Sequence, residues 1–351
     1  MITQHVTYSN QVGAALDRVL ASTDCFGLFV IADTNTARLV LPRIDSEWLR
    51  QATPIVIPAG DEHKTLDTLA SVWQALSDGG ATRHSVVVNV GGGMVTDLGG
   101  MAAATFKRGI NFINIPTTLL AAVDAAVGGK TGINFNGLKN EIGAFAPANE
   151  VIISTCFLDT LPRQELRSGY AEMVKHAMLS GPQPFADVLS HEPTTDEPDH
   201  LLQLLETSVA VKQRIVEQDP TEQGLRRTLN LGHTVGHALE SLALQQGRTV
   251  PHGYAVAWGL VTEAVLSHML LQFPSSDLHR LGTYVRDHYG TPGITCDDYP
   301  ALLELMRHDK KSRQGEINCT LLRHIGDPVL DNTIVPDDMT TALDILRDYV
   351  D

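Results

Sequence analysis

The sequence has few cysteines, no excess of positive charge and no internal repeat or low-complexity tract. Its 351 residues include four cysteines, which lie far apart and form no C-x-x-C pair. This spacing excludes a disulfide framework and a thiolate zinc site, and it suits a reducing compartment. The N-terminus shows no basic start followed by an apolar core, so we expect no export signal and a cytoplasmic protein.

The charge balance and the hydropathy pattern exclude two further classes of partner. The chain has 26 Lys and Arg against 41 Asp and Glu, a formal net charge of −15, so its overall field repels nucleic acid. The most apolar segment, 254–273, contains Glu263 and His268, which favours a buried helix over a membrane span. We therefore expect neither a nucleic-acid nor a membrane partner, and any basic cluster must serve a local purpose.

Strand and helix patterns alternate in the first part of the chain. This alternation predicts an α/β domain with a parallel, Rossmann-like sheet and helices on its faces. A helix is predicted from about 59 to 78, where Gly79 and Gly80 end it. The strands are predicted at 27–32, 54–58, 85–90, 112–115 and 151–154.

A glycine-rich turn follows the strongest predicted strand. Gly91, Gly92 and Gly93 lie between this strand and a helix, a layout that presents backbone N–H groups to a pyrophosphate. The dinucleotide fingerprint G-x-G-x-x-G is nevertheless absent, because Thr96 stands at its third glycine. The segment 128–131 (GGKT) resembles the end of an NTPase phosphate loop, but Asp124 occupies a required glycine position, so we reject an ATPase.

The pattern becomes almost wholly helical after about residue 159. We therefore predict two domains, residues 1–155 as an α/β domain and 156–351 as an all-α domain. A hairpin-like insert is expected at 317–325. The helices are predicted at 163–179, 200–217, 226–245, 254–273, 276–288, 297–308 and 336–350.

Three segments of this helical part carry candidate metal ligands. His233 and His237 are four residues apart on a predicted helix, so both rings point the same way. Glu172 lies upstream on another helix, and His252 lies in a turn before an apolar helix. A glutamate with two histidines is a catalytic zinc set that leaves a position open for substrate. Spacing alone does not decide whether His233 or His237 completes it.

The chain resembles 3-dehydroquinate synthase along nearly its whole length. The resemblance rests on motifs that occur in the family's order: 91–97 (GGGMVTD), 103–109 (AATFKRG), 116–120 (PTTLL), 127–131 (VGGKT), 139–140 (KN), 143–145 (GAF), 161–162 (LP), 170–175 (YAEMVK), 229–237 (LNLGHTVGH) and 309–311 (DKK). It implies an N-terminal NAD-binding α/β domain and a C-terminal helical domain, with metal and substrate between them.

The resemblance also implies the roles of individual residues. Zn²⁺ or Co²⁺ would be held by Glu172, His233 and His252, and His237 would contact substrate. NAD would be bound by Asp33, Asn35, Asp61, Lys64, Gly91, Gly92, Gly93, Asp97, Thr117, Thr118, Phe157, Thr160 and Glu165. The family has Glu where this chain has Asp61, and the 245–250 loop is somewhat longer than in many relatives.

The implied substrate residues are mostly cationic. Lys130, Asn140, Lys175, His237 and Asp124 would be catalytic, and Arg108 would reach a neighbouring subunit's site in a homodimer. Substrate would also be bound by Lys139, Lys212, Arg226, Asn230 and one of Lys310 and Lys311. Taken singly, Lys212 and Arg226 could instead be solvated helix cations.

These residues suit a small anionic substrate with an alcohol to be oxidised. In the family this is 3-deoxy-D-arabino-heptulosonate 7-phosphate. Transient oxidation by NAD makes a neighbouring proton acidic, phosphate is eliminated, NADH returns the hydride, and an intramolecular aldol gives 3-dehydroquinate, the second step of the shikimate pathway to aromatic amino acids. The alternatives are a valiolone or deoxy-inosose cyclase, a metal-dependent polyol or alcohol dehydrogenase, and a non-catalytic paralogue.

Overall fold

The protein is described by a computed structural model covering residues 4–136, 138–194, 197–308 and 315–350. The chain divides into two compact units, each with its own core. Unit 1 comprises Met1–Pro162 and Glu197–Val209, and unit 2 comprises Arg163–Asp196 and Ala210–Asp351.

Unit 1 is built on a six-stranded parallel sheet of order β1-β8-β5-β4-β2-β3. Its strands are β1 (His5–Tyr8), β2 (Leu28–Asp33), β3 (Thr53–Ile57), β4 (Val86–Gly91), β5 (Asn111–Pro116) and β8 (Glu150–Ile153). An antiparallel hairpin is formed by β6 (Lys130–Phe135) and β7 (Leu138–Phe145), and the helices are α1 (Val12–Ala21), α2 (Thr34–Leu39), α3 (Leu66–Asp78) and α4 (Gly93–Thr105).

The central strands are parallel because helices cover both of their faces. Every residue of β2 and β4 is buried, so these strands are continuous apolar runs and do not alternate with polar residues. Leu16 and Leu20 of α1 pack with Val30, Val88 and Ile115 in the core. The predicted α/β class is thus confirmed.

The strand order reverses beside β2. The chain passes from β2 to β3 on one side and then places β4 on the other, so the gap between β2 and β4 is a topological switch point. Ligands of open α/β sheets bind outside the carboxyl ends of strands at such a point. Asp33 ends β2 and Gly91 ends β4 at this place.

Three features of unit 1 differ from the sequence prediction. Strand β1 was not predicted, and the 131–145 segment, expected as a polar glycine-rich loop, forms the β6–β7 hairpin. The helix predicted from 59 begins at Leu66, because Asp61–His63 forms a separate 3₁₀ turn after Gly60, whose φ is 113°. Thr65 then caps α3 by accepting from the N–H of Thr68.

Unit 2 is mainly helical. Its helices are α5 (Arg163–Ser180), α6 (Pro182–Leu189), α8 (His233–Gln245), α9 (His252–Leu271), α10 (Ser275–Tyr289), α11 (Tyr299–Arg307) and α12 (Pro336–Val350), and α7 (Pro198–Gln218) contributes its residues from 210 onward. The expected hairpin is present but longer, with β9 (Ile317–Leu322) and β10 (Pro328–Ile334).

Helix α9 is apolar on all sides. Within the described residues it is the one helix long and apolar enough to cross a membrane, and 72% of its apolar window is buried inside the fold. Such burial is what a core helix requires. The helix predicted at 226–245 is interrupted, since Leu225–Asn230 is a 3₁₀ segment and α8 begins only after Gly232, whose φ is 80°.

Candidate active site

The clearest candidate site in unit 2 is a group formed by Glu172, which is fully buried, and by His233 and His252, whose side chains are partly exposed. The Nε2 atoms of His233 and His252 each lie 3.5 Å from Oε1 of Glu172. One ligand atom from each of the three residues lies within 4.8 Å of the others. Tetrahedral zinc with bonds of about 2.0–2.2 Å needs ligand atoms about 3.3–3.6 Å apart, so the spacing fits a metal ion.

The Glu172 carboxylate also fits a metal because it is buried among groups that are cationic or can bind a metal. Glu172 is fully buried, and its two oxygens face Lys175, His233 and His252. A buried carboxylate is costly unless cations balance its charge. Lys175 forms an ion pair with Oε2, which leaves Oε1 facing the two imidazoles.

Two glycines let the three helices approach closely enough to bring these side chains together. A Cβ on Gly253 of α9 would lie 1.8 Å from the carbonyl oxygen of Ser168 on α5. The N–H of Gly253 also donates to the Ser168 hydroxyl at 3.0 Å. A Cβ on Gly259 would lie 1.9 Å from the carbonyl oxygen of Gly232, directly before α8. The close helix contacts therefore set the positions of the candidate ligands.

Hydrogen bonds on the far side of each imidazole fix its orientation. Nδ1 of His252 lies 3.3 Å from Oε2 of Glu240, and Nδ1 of His233 lies 3.1 Å from the carbonyl oxygen of Leu231. Because each acceptor takes an N–H from Nδ1, Nε2 of each imidazole is the nitrogen that faces Glu172, and it can bind a metal when it carries no proton. Imidazole ligands of metals are held in this way.

The electrostatics of the group depend on burial and on these neighbours. Burial alone would raise the pKa of Glu172, but Lys175, His233 and His252 outweigh it and hold that pKa well below its usual range. Burial, reinforced by Lys175, lowers the pKa of His233 despite the Glu172 carboxylate. For His252, burial is outweighed by hydrogen bonds to Glu172 and Glu240, which raise its pKa to about 9. At neutral pH the carboxylate is ionised and His233 is neutral, whereas His252 is protonated and would release its proton on binding a metal.

His237 lies beside this group without belonging to it. Its ring centroid is 5.2 Å from that of His233 and 5.9 Å from that of His252, and its side chain is exposed. The geometry therefore places Glu172, His233 and His252 together as the group that spacing alone left open.

Two predicted substrate cations are buried. Lys212 is 5% exposed and Arg226 is 2% exposed, so neither is a solvated surface cation. Nη1 of Arg226 donates to the Pro220 carbonyl at 2.7 Å, and its backbone N–H donates to Asp219 at 3.0 Å. The amide of Asn230 donates to Glu222 at 3.2 Å.

In unit 1, several predicted NAD residues meet at one edge of the sheet. Asp33 caps α2 by accepting from the N–H groups of Asn35 and Thr36 at 2.8 and 2.9 Å. Gly92 begins α4 with no side chain capping it, so the first N–H groups of the helix remain for a ligand. Thr117 and Thr118 follow β5, where the N–H of Thr117 donates to the carbonyl of Gly91 at 3.0 Å.

Other predicted residues of unit 1 join the segment before α3, helix α4 and the β6–β7 hairpin. Lys64 is 4% exposed, and its ammonium lies 2.6 Å from Asp97 and 2.5 Å from Oδ1 of Asn140. Nζ of Lys139 lies 3.8 Å from Asp61. Predicted cofactor residues and predicted substrate residues thus share one hydrogen-bonded cluster.

The other predicted residues lie on several elements of the two units. In unit 1, Asp124 is half-buried in the π-helix Ala121–Ala125, Lys130 is exposed at the start of β6, and Arg108 is exposed. Phe157 is buried, and its carbonyl accepts from the Thr160 hydroxyl at 2.7 Å. Glu165 is exposed on α5 in unit 2, and Gly93 is the first residue of α4. Lys310 and Lys311 lie outside the described residues.

Two residues of this site were not predicted from the sequence. Glu240 orients His252, and Ser168 accepts a hydrogen bond from Gly253 at the start of α9. Glu240 follows His233 by seven residues, two helical turns, so the two lie on the same face of α8. That spacing was a usable signal. The contact of Ser168 with Gly253 joins different helices, so no local pattern in the sequence indicates it.

Comparison with known proteins gives the family. Residues 54–168 match the 3-dehydroquinate synthase N-terminal family, and 169–312 match the 3-dehydroquinate synthase C-terminal family. A 3-dehydroquinate synthase of Parabacteroides distasonis is 48% identical over 349 residues, 99% of each chain. The chain belongs to the 3-dehydroquinate synthase family. Its activity is accordingly that of a 3-dehydroquinate synthase, an enzyme of aromatic biosynthesis, and the dehydrogenase and other cyclase readings are not favoured.

Solved structures show the same fold. A 2-deoxy-scyllo-inosose synthase, solved with carbaglucose-6-phosphate, NAD⁺ and Co²⁺, superposes with a TM-score of 0.85 at 23% identity, covering 98% of this chain and 96% of that one. A 2-epi-5-epi-valiolone synthase from Streptomyces hygroscopicus subsp. jinggangensis, with NAD⁺ and Zn²⁺ bound, gives 0.82 at 26% identity, covering 99% and 98%. At 23% identity, the similarity to the 2-deoxy-scyllo-inosose synthase shows a shared fold and nothing more.

Proposed function

We propose that this member of the 3-dehydroquinate synthase family is an NAD- and divalent-metal-dependent carbon–oxygen lyase. It converts 3-deoxy-D-arabino-heptulosonate 7-phosphate to 3-dehydroquinate and phosphate, with Zn²⁺ or Co²⁺ held by Glu172, His233 and His252. The observation that carries the proposal is this buried group, with both imidazoles oriented from behind. Three protein ligands leave a coordination position for a substrate oxygen.

The protein supplies the frame for this chemistry. When bound, NAD would accept and return a hydride, and the metal would act as a Lewis acid on the substrate. The Glu172 carboxylate is buried, and the Lys175 ammonium, which forms an ion pair with it, neutralises its charge. Lys212 and Arg226 bind the substrate carboxylate, because a buried guanidinium offers a planar pair of donors and a buried ammonium adds a point charge.

NAD is assigned to the carboxyl edge of the unit 1 sheet. The N-terminus of α4 after Gly92 receives the pyrophosphate, and Asp33 and Asn35 lie at the end of β2 on the other side of the switch point. The remaining contacts are assigned to Asp61, Lys64, Gly91, Gly93, Asp97, Thr117, Thr118, Phe157, Thr160 and Glu165.

The other substrate contacts are assigned by the same proposal. His237 lies beside the metal group, where an exposed imidazole can contact substrate. Asp124, Lys130, Asn140 and Lys175 act on the reacting carbons, and binding is completed by Lys139, Asn230 and one of Lys310 and Lys311.

We also propose a cytoplasmic homodimer in which Arg108 completes the site of the neighbouring subunit. Support comes from the backbone, where Lys107 and Arg108 are exposed and have φ values of 49° and 69°. Consecutive left-handed non-glycine residues are costly and occur where a function requires a particular direction of the side chain. Sedimentation of the wild type tests the dimer. The shared site is tested by mixing Arg108→Ala with an inactive Glu172→Gln subunit, because a mixed dimer then contains one complete site and regains activity.

The direct test is phosphate release from the heptulosonate phosphate, measured with and without NAD and after chelation. We expect activity only when both cofactors are present, and NAD binding that survives metal removal. Undiminished activity of a metal-stripped enzyme would show the metal assignment to be wrong.

A further inference from the structure

Asn134 lies at the centre of a closed set of hydrogen bonds in unit 1. Its backbone N–H donates to the Lys64 carbonyl at 2.8 Å, and its side-chain Oδ1 accepts from the N–H of Asn140 at 2.9 Å. Oδ1 of Asn140 in turn accepts from the Lys64 ammonium at 2.5 Å. Asn134 is the one member of this ring of three to which no role has been assigned.

The other end of the Asn134 amide holds the segment before α3. Its Nδ2 donates to the Asp61 carbonyl oxygen at 3.2 Å and to Asp61 Oδ2 at 3.3 Å. A single side chain therefore joins the 61–64 segment, proposed to bind cofactor, to Asn140, proposed to act on substrate.

The hairpin needs such a support at Asn140. This residue has a φ of 51°, a left-handed conformation that costs asparagine less than most residues but more than glycine. The N–H of Asn140 donates to the side chain of Asn134, so shortening Asn134 removes this contact. The backbone at Asn140, and with it the Asn140 amide and the neighbouring Lys139, is then no longer fixed by Asn134.

We infer that Asn134 is a positioning residue that fixes the NAD segment and the substrate hairpin in one arrangement. The inference rests on the proposed function, since it takes the roles of Lys64 and Asn140 from there. Its consequence is energetic coupling: NAD bound at the 61–64 segment orders the hairpin for substrate, and by reciprocity substrate strengthens NAD binding.

The test compares Asn134→Ala, Asn134→Asp and a control, Leu138→Ala, in the full-length enzyme. Leu138 is an exposed hairpin residue, 54% accessible, so its truncation changes the same strand pair without touching the ring. Four quantities are measured: the NAD dissociation constant without substrate, KM for the heptulosonate phosphate, kcat, and the melting temperature.

We expect Asn134→Ala to raise the NAD dissociation constant and KM each by roughly tenfold, since the 61–64 segment loses two hydrogen bonds, one of them to a carboxylate, and the hairpin loses one. Asn134→Asp retains the acceptor for Asn140 but puts a carboxylate against Asp61. Asn134→Asp should therefore raise the NAD dissociation constant as Asn134→Ala does, while its KM stays nearer the wild-type value. Leu138→Ala should leave both constants within twofold of wild type.

A merely structural role predicts another pattern. Asn134→Ala would then melt at a lower temperature while its folded fraction kept both constants of Leu138→Ala, and this result would overturn the inference. Failure of the proposed function is distinguishable, because it would appear in the wild type as absent NAD binding or absent phosphate release.

Discussion

The metal assignment can be tested by removing first the residue that orients a proposed ligand and then that ligand itself. Glu240→Ala removes the acceptor behind His252, and His252→Ala removes a proposed ligand itself. Both changes leave Glu172 and His233 in place. The series asks whether Nε2 of His252 binds metal and whether Glu240 orients it.

The expected magnitudes follow from the two positions. Partners behind a metal ligand typically contribute 10- to 100-fold in metal affinity, so Glu240→Ala should weaken binding by about that factor. Four-ligand zinc sites bind with about 10–16 kcal/mol, or about 2.5–4 kcal/mol per ligand. His252→Ala should therefore weaken binding by about two to three powers of ten. Glu240→Gln should fall between wild type and Glu240→Ala, because its amide oxygen can still accept from Nδ1.

The assay is competition between the enzyme and a chromogenic chelator for Zn²⁺, with the Co²⁺ absorption spectrum as a second readout. Gln245→Ala, an exposed change on the same helix, is the control and should bind metal as wild type does. NAD affinity should be unchanged throughout the series. Wild-type metal affinity in His252→Ala would refute the ligand assignment, and wild-type affinity in Glu240→Ala would refute the orienting role.

Four further outcomes are expected. Steady turnover should produce no net NADH absorbance, because the hydride returns in each cycle; stoichiometric NADH would instead indicate a dehydrogenase. Arg226→Ala should lose about 1.5 to 4 powers of ten in kcat/KM on the heptulosonate phosphate, corresponding to about 2–5 kcal/mol for one partner of a buried charged pair. Sedoheptulose 7-phosphate, which lacks the carboxylate, should be a very poor substrate, and equal turnover of the two sugars by wild type would show that Arg226 reads no carboxylate. Gly253→Ala should destabilise the fold by about 1–3 kcal/mol in urea unfolding and weaken metal binding without altering a ligand, because a Cβ there overlaps the Ser168 carbonyl; unchanged stability would contradict the close packing of α5 and α9.

The parts of the fold that the sequence predicted are those with a local signal. Five strands of the sheet were found because each is a short apolar run bounded by turn residues. Strand β1 (HVTY) has no such run, and it is recognisable only by its pairing with β8. The break before α8 was hidden because apolar residues continue through it, while Gly232 adopts a left-handed conformation and a Cβ there would lie 2.8 Å from Leu260 of α9.

The same distinction separates the parts of the candidate site. His233 and His237 share a helix, so their spacing was informative, whereas the choice between them depends on where α5 and α9 lie against α8. That placement follows from Gly253 and Gly259, whose contacts are between residues 27 to 85 positions apart in the sequence. No periodicity records such a contact.

The β6–β7 hairpin shows why a polar segment can be misread. Its strands are largely exposed and contain Asn134, Lys139 and Asn140, so the segment lacks the apolar alternation by which a half-buried strand is recognised. Its conformation is stabilised by hydrogen bonds to Asp61 and Lys64, about seventy residues earlier, as well as by the burial of Ile133. Polar contacts in this hairpin therefore add to what apolar burial provides. A segment held in this way can respond to whatever binds at its partners, which is why the coupling through Asn134 should be measurable.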